Sequence, residues 1–355
     1  MPGQRAIQIQ RQRMAKLVTD APIPKVRPDY VIVKNVVVAL NPADWKHIDF
    51  MAKKGAIVGC DYAGIVDKVG PNVTHLKKGD RVAGFVHGCN LSNTEDGAYA
   101  EYIAAKAALS IKVPDNLSME QASTLGVGIT SVGQALYQSL ELPWPTTPAE
   151  TPFPVLIYGG STATGSLAIQ FAKLSGLTVV TTCSPHNFDM VKSLGADHVF
   201  DYKSPTVGDD IWKLCDNKLQ HAFDCFALDS SAAICSKAMS SKGGKYSSLL
   251  IMPEFPRPDI TNVSTLAYTA IGETFTKGTK THEGNAADLE FATKFWKLAG
   301  GYLAEDKVKT HPIEVREGGL EGILGGLRDM RKGLSGKKLV YPLDEPEEES
   351  DIDIY

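Results

Sequence analysis

The spacing of apolar residues changes character twice along the chain. From 29 to 40 the run DYVIVKNVVVAL is β-branched and strand-like. It stops at Asn41-Pro42, a turn signal, and ADWKHIDF follows that turn. Short apolar segments between glycines come next: GCDYAGIVDKVG at 59–70, KKGDRVAGF at 77–85 with a tight turn at Gly79-Asp80, and GAYAEYIAA at 97–105. Many short strands between glycine turns predict a small antiparallel barrel or a strongly bent sheet.

After Pro114 the spacing turns helical. DNLSMEQASTLGVGITSVGQALYQSL, 115–140, reads as two helical pieces. Asp115 or Ser118 caps the first, with Gln121 three residues beyond Ser118 as in a capping box. LPWPTTPAETPFP, 142–154, holds five prolines and predicts an irregular connection. From Val155 strands and helices alternate. VLIY, LTVVTTC, HVFDY, HAFDCFA and GGKYSSLL are the strands, separated by helical runs that end at Gly176 and Gly195 or precede the next strand. That order predicts a parallel doubly wound sheet. A loop with Pro253, Pro256 and Pro258 leads to TAIGETF, 269–275, read as the last strand of this sheet. Prolines before an edge strand discourage pairing with a second copy, which predicts a monomer. Two further helices lie in 288–303 and 319–333, and KKLVYP, 337–342, reads as a strand returning to the first domain. The expected class is α/β, with 1–140 and 308–355 in one domain and 141–307 in the other.

Composition narrows the function. At 355 residues the chain is too long for one core. The net charge of −4 comes from the end of the chain: residues 344–355 carry seven acids and no base, and without them the charge is +3. The tail reads as a solvated, disordered end, and nothing resembles a basic nucleic-acid face. No segment approaches the roughly 18 apolar residues of a membrane span. The N-terminal MPGQRAIQIQRQRM has bases without an apolar core behind them, so no secretory signal is expected, and a mitochondrial presequence is not favoured. Six cysteines without a C-x-x-C pair suit free thiols in a reducing, cytoplasmic setting.

VLIYGGSTATG, 155–165, is the chemical focus: strand, tight turn, helix. The turn frees backbone N–H groups at the positive end of a helix, which suits a pyrophosphate. Its spacing, Gly159-x-x-Thr162-x-x-Gly165, puts threonine where a dinucleotide turn often has its middle glycine, so a plain structural turn is the alternative. The next strand runs into Ser184-Pro185-His186-Asn187, with no acid before Asp189. An NAD site places a carboxylate there for the ribose 2′-hydroxyl. Its absence, with Ser184, His186 and Asn187 as donors and Lys192 nearby, favours NADPH. SPHN also reads as a cap for the following helix.

The residues GAYAEY, KKGDRV and the barrel-then-βαβ order resemble the medium-chain dehydrogenase/reductase superfamily over roughly 15–341. LNP with Asp44 and Lys46, DYAG, YGGSTAT, CSPHNFD, FDY and GLSGKKLV are more closely similar to the trans-acting enoyl reductases of fungal highly reducing polyketide synthases, as in the lovastatin pathway. The resemblance implies a GroES-like β-barrel domain, a Rossmann domain and NADPH. The cofactor would be touched by Ala43, Asp44, Trp45 and Lys46, by Gly159, Gly160, Ser161, Thr162, Ala163 and Thr164, and by Ser184, Pro185, His186 and Asn187. Tyr202, Leu249, Leu250, Leu334 and Ser335 would complete its site. The acyl pocket would be lined by Ser131, Val132, Gly133, Gln134, Ala135, Leu136, Tyr137 and Gln138 together with Tyr268, Thr269, Ala270, Ile271 and Gly272. SSLLIMPEF and AYTAIGE depart from the lovastatin enzyme, so chain length and methylation preference do not transfer. Zinc is not expected, because Cys60, His87 and Cys89 are unclustered.

The implied reaction moves hydride from NADPH to the β-carbon of an enoyl thioester, which leaves an enolate to stabilise and an α-carbon to protonate. Lys46 is the first candidate for a catalytic role, against the reading of a merely solvated lysine; His47 and Tyr99 are second candidates. The implied partner is a highly reducing polyketide synthase, or a hybrid with a nonribosomal peptide synthetase, presenting its chain on an acyl carrier protein. A free-standing quinone or enone reductase and a non-catalytic NADPH-binding protein are the rival readings.

Overall fold

A computed structural model describes residues 3–343; the acidic tail, 344–355, lies outside the described residues. The first half holds β1 (Gln4–Arg11), β2 (Met14–Ala21), β3 (Tyr30–Ala39), α1 (Pro42–Phe50), β4 (Asp61–Val69), β5 (Arg81–Phe85), β6 (Tyr102–Lys106) and β7 (Ser110–Lys112). It closes with α2 (Met119–Ala122) and α3 (Gly126–Val132), which runs on as a π-helix over Gly133–Ser139. The alternating part comprises β8 (Pro154–Tyr158), α4 (Ala163–Leu174), β9 (Thr178–Cys183), α5 (Phe188–Ser193), β10 (His198–Asp201) and α6 (Val207–Leu214). It continues with β11 (His221–Asp224), α7 (Asp229–Ala238), β12 (Gly244–Ser248) and β13 (Ile260–Ser264). The chain ends with β14 (Phe275–Lys277), β15 (Lys280–His282), α8 (Ala286–Ala304), β16 (Ile313–Val315), α9 (Gly319–Arg331) and β17 (Lys338–Pro342).

Two sheets organise these elements. The first runs β16-β17-β3-β4-β5-β7, with β6 also on β3. Long β3 divides its edges: Tyr30 to Lys34 pair with β6, while Val37 to Ala39 pair with the returning β17. The second sheet is six-stranded and parallel, in the order β10-β9-β8-β11-β12-β13. Renumbered from β8 this is 3-2-1-4-5-6, the doubly wound order whose ligand crevice lies at the carboxyl ends beside the first strand. One core joins the sheets: Phe85, Leu109 and Ile111 pack with Val155, Ile157, Phe171, Phe295 and Trp296. Trp296 is fully buried and donates to Thr130 Oγ1 at 3.2 Å. Truncating such a residue to alanine costs about 3–5 kcal/mol.

The alternating strands, the capping box of Ser118 with Gln121, and the C-terminal return lie where the pattern predicts. Three readings are corrected. Residues 4–21, given no element, form the hairpin β1–β2, which buries Ala6, Ile7 and Ile9. The stretch 42–50 is a helix, because Asn41 and Pro42 are its start rather than a turn. The last strand of the nucleotide sheet is Ile260–Ser264; residues Ala267–Ile271 form a 3₁₀ turn that ends at Gly272, φ +74. Among the described residues no helix is long and apolar enough to cross a membrane, and all six cysteines are unpaired.

Candidate active site

The glycine turn joins β8 to α4, and each of its glycines has a steric reason. Gly159 sits at φ +84. A Cβ on Gly160 would fall 2.1 Å from Thr181 Oγ1, and one on Gly165 would fall 2.3 Å from the Gly159 carbonyl. Thr162 resolves its departure from the glycine pattern. It is the N-cap of α4: its hydroxyl accepts from Gly165 N–H at 2.9 Å and donates to the Gly159 carbonyl at 2.8 Å. The first-turn amides of Ala163 and Thr164 have no intrahelical acceptor and face out of the positive end of the helix. With Ser161 beside them they form a cradle that fits a pyrophosphate.

Ser184 to Asn187 follow β9, the neighbouring strand, and Tyr202 follows β10, whose Asp201 pairs with Cys183. Ser184, Tyr202 and the unpredicted Lys203 thus share one end of the sheet. Ser335, on the loop between α9 and β17, meets this segment from the far end of the chain. Its hydroxyl lies 2.9 Å from His186 Nε2 and accepts from Asn187 Nδ2 at 3.0 Å. Leu334 is half-buried beside it. Four predicted cofactor segments therefore gather around the crevice. Leu249 and Leu250, after β12, continue it: Leu249 N–H donates to the carbonyl of Asp224, the last residue of β11. Buried Asp224 also holds the next loop. Its carboxylate accepts from the N–H groups of Phe226 and Ala227 and from the hydroxyls of Ser231 and Tyr246. That fixes Ala227 at φ +55 and keeps Phe226 against Gly159. The sequence reading missed this loop.

The remaining cofactor candidates lie on α1. Asp44 accepts from Asn41 N–H at 2.7 Å and from the Tyr99 hydroxyl at 2.6 Å. It is buried, its other oxygen has no partner among the described residues, and burial pushes its pKa up to about 7. Tyr99 is fully buried, and burial with the Asp44 charge beside it raises its pKa well above the ordinary value. Its hydroxyl is held by Asp44, which does not suit the proton-donor role considered for it. Lys46 is half-buried, with Nζ 5.8 Å from the Trp45 ring, and burial lowers its pKa. Ala43 is half-buried; the Trp45 indole N–H is buried and has no partner among the described residues. His47 is buried, and burial pushes its pKa down to about 3, so its ring is neutral.

The start of α1 is fixed by a buried ion pair that the sequence reading did not identify. Lys338 Nζ donates to Asp61 Oδ2 at 2.5 Å, to Asn41 Oδ1 at 3.0 Å and to the Thr124 carbonyl at 3.0 Å. Asp61 Oδ1 accepts from Val127 N–H at 2.6 Å. The signal available was a lysine at an inward position of the strand KKLVYP.

The two segments predicted to line the acyl pocket meet through Gln134. Its Nε2 donates to Thr269 Oγ1 at 3.0 Å and to the Leu266 carbonyl at 3.3 Å, and its buried Oε1 has no partner among the described residues. Gln134 lies in the π-helical stretch, a geometry frequent at functional sites. Val132, Ala135 and Leu136 point into the core, Tyr137 donates to the Phe171 carbonyl, and exposed Gln138 bonds Asp288. Ser131 and Gly133 are buried in the same helix, and a Cβ on Gly133 would fall 2.5 Å from Phe295. Ala270 and Ile271 are buried. Tyr268 stacks on His87 at 3.8 Å, and its hydroxyl lies 3.6 Å from Cys60 Sγ.

These contacts also test the donor set for zinc. His87 is committed to the stack on Tyr268, and the Cys60 thiol lies 3.6 Å from the Tyr268 hydroxyl. Among the described residues no group of three or more His, Cys, Asp or Glu side chains is arranged to hold a metal. The donor set does not fit zinc.

A GroES-like sheet joined to a doubly wound sheet, with a glycine turn on its first strand, defines a pyridine-nucleotide-dependent reductase of the medium-chain dehydrogenase/reductase superfamily. Residues 27–115 match the alcohol dehydrogenase GroES-like domain, and residues 163–256 match the family described as zinc-binding dehydrogenase. The chain is 47% identical over 347 residues to the trans-enoyl reductase ACTTS2 of Alternaria alternata, covering 97% of this chain and 100% of the relative. It is 55% identical over 277 residues to the trans-enoyl reductase TOXD of Cochliobolus carbonum, covering 78% and 93%. Among solved structures, CurK enoyl reductase superposes with TM-score 0.75 at 16% identity, covering 96% of this chain and 99% of that one. The quinone oxidoreductase from Coxiella burnetii superposes with TM-score 0.72 at 23% identity, covering 96% and 99%. Within the superfamily, the chain belongs to the family of fungal trans-enoyl reductases.

Proposed function

We propose that this protein is a trans-acting enoyl reductase: it reduces the α,β double bond of an acyl thioester that a separate polyketide synthase presents on its carrier protein. The observation that carries this reading is the end-to-end relationship, at 47% identity, to a trans-enoyl reductase. The cofactor is NADPH rather than NADH. Along the chain no carboxylate follows β9 before Asp189, the Asp201 carboxylate on the neighbouring strand accepts from the N–H of Lys203 in its own loop, and Ser184, His186, Tyr202, Lys203 and Ser335 offer donors around that edge. The substrate half is 1–140 with the return from 308, and the cofactor half is 141–307. The protein acts in the cytoplasm, as a monomer until it meets its synthase.

NADPH, when bound, is the hydride source for the substrate's β-carbon. The chain's residues bind and orient. The Ala163 and Thr164 amides take the pyrophosphate, and the 184–187 segment with Ser335 takes the adenosine ribose. Gln134, Tyr268 and Thr269 flank the acyl group. Lys46, half-desolvated on α1, holds the cofactor and supplies positive charge beside the reacting thioester.

The test is incubation with NADPH and a series of enoyl-pantetheine thioesters, following NADPH absorbance and identifying the product by mass spectrometry. Saturated thioester formed with NADPH consumption is the expected result. Turnover of quinones with none of thioesters, or NADPH binding without any turnover, refutes the reading.

A further inference from the structure

One cation beside this site has no part in the reading above. Lys277 ends β14, on the short hairpin with β15, which is anchored by buried Phe275 and by the bond from Thr276 N–H to Ser92 Oγ. Its Nζ lies 3.5 Å from His47 Nε2 and 4.8 Å from the centroid of the Tyr268 ring. Its neighbours are neutral or aromatic: His47 is uncharged, Tyr268 is stacked on His87, and Phe275 is stacked on His282. Burial lowers its pKa, and the only opposing influences are the buried thiols Cys60 and Cys89; no carboxylate among the described residues pairs with it. Desolvating an ammonium without a counter-charge is costly, and the arrangement fits an anion that arrives with a ligand.

The place of that cation limits what the anion can be. His47 follows Lys46 on α1, and Tyr268 precedes Thr269, the partner of Gln134. Lys277 therefore stands where the cofactor-facing helix and the acyl-flanking segment come together. We propose that the Lys277 ammonium is the oxyanion-binding group of this site, donating to the thioester oxygen of the enoyl substrate as negative charge builds there. The proposal rests on the enoyl-reductase reading. In the reaction a C–H bond forms at the β-carbon and the Cα=Cβ π bond breaks. Its electron pair moves into the thioester, whose oxygen becomes an enolate oxygen held by Lys277. When the α-carbon takes a proton from solvent or from Lys46, the pair returns to form that C–H bond and the carbonyl is restored. Lys277 keeps its own proton throughout, so it stabilises charge and is not the acid.

Lys277→Met keeps the aliphatic stem and removes the charge; Lys277→Arg restores a charge. Steady-state reduction of crotonyl-pantetheine at saturating NADPH should show kcat lower by about a hundredfold in K277M with little change in KM, the size of effect typical of one lost oxyanion donor. K277R should recover a large part of the loss. The NADPH Kd, read by fluorescence titration, should match the wild type in both variants, and the Tm of K277M should be no lower than the wild type's, because the unpaired ammonium it removes is a cost. Unchanged kcat in K277M overturns the proposal. So does a loss accompanied by weaker NADPH binding or lower Tm, without rescue in K277R, since that pattern marks a structural role. Absence of any enoyl-thioester turnover in the wild type overturns the enoyl-reductase reading and this proposal with it; an active wild type with an unaffected K277M overturns this proposal alone.

Discussion

Lys338 offers the sharpest energetic test of how the site is held together. Its side chain is 4% exposed and that of Asp61 is 0%. All three ammonium hydrogens are used, on Asp61, Asn41 and the Thr124 carbonyl. Replacing Lys338 by methionine preserves most of the volume and strands a carboxylate in the core, with one backbone N–H, from Val127, left to it. Breaking a buried pair by removing one partner costs about 3–5 kcal/mol, because the remaining charge is neither paired nor hydrated. Asn41 Oδ1 and the Thr124 carbonyl lose their donor as well, and an orphaned buried acceptor costs about 1–3 kcal/mol. We therefore expect K338M to lose at least about 3 kcal/mol of unfolding free energy in guanidinium. Circular dichroism and tryptophan fluorescence should be followed in parallel, to check that one transition is being read. The double variant D61N/K338M removes the stranded charge. It should regain the part due to the stranded charge, about 3–5 kcal/mol, and settle about 2–6 kcal/mol below the wild type, the residue being the two orphaned acceptors. A K338M protein within about 1 kcal/mol of the wild type, or a double variant no more stable than K338M, would refute the claim that the ion pair is an uncompensated burden once broken.

Lys46→Ala should lower kcat/KM for an enoyl thioester by about tenfold or more while the melting temperature stays at the wild-type value, and unchanged kinetics would remove Lys46 from the mechanism. Ser184→Asp places a carboxylate at the end of β9, so the NADPH Kd should rise by about tenfold or more, near 1.4 kcal/mol, with a smaller effect on NADH; equal shifts for the two cofactors in a fluorescence titration would count against 2′-phosphate recognition there. Asp44 binds protons more tightly folded, at about 7, than unfolded, at 3.8, so it lowers stability as pH rises between those values. Two buried histidines, His47 and His87, held below the ordinary histidine range by burial, work in the opposite direction below about pH 6.5. Denaturation of wild type and D44N across pH 4–7 isolates the first contribution: the stability of the wild type relative to D44N should fall as pH rises, and a constant difference would show that Asp44 does not titrate in that window.

Much of the fold was legible because its signals are local. Alternating strands and ten-residue helices carry their own period, and Gly176 and Gly195 end helices at φ +77 and +105 as glycine is best able to do. The errors are also local, and each has a physical cause. AIQIQ near the N-terminus has the period of a strand, with Ile7 and Ile9 fully buried, but the flanking Arg5, Arg11 and Arg13 equally fit a basic targeting segment, which masks the strand. Asn41-Pro42 is equally a turn signal and the cap and first position of a helix; Asp44, which accepts from Asn41 N–H, decides for the helix. TAIGETF and the true edge strand ITNVS are both rich in β-branched residues, and pairing with β12 is what selects ITNVS. Propensity loses there to tertiary context.

The site itself was legible in a different sense. Residue types identified its parts, but spacing along the chain carries no information about which parts meet. Ser335 reaches His186 across 149 positions, and Lys277 reaches His47 across 230. Gly336 shows how closely the first approach is fitted: at φ +67, a Cβ there would fall 2.6 Å from Asn187 Oδ1. A glycine read from sequence as part of GLSGKK is thus required by a side chain half the chain away. The same holds for Thr162. As a letter in a motif it is a missing glycine; with its hydroxyl between the Gly159 carbonyl and Gly165 N–H, it closes the turn and caps α4. A middle glycine would leave those two groups without that bridge. The departure from the common fingerprint is therefore a second way of building the same positive helix end, and the first-turn amides that would take a pyrophosphate are left free by it.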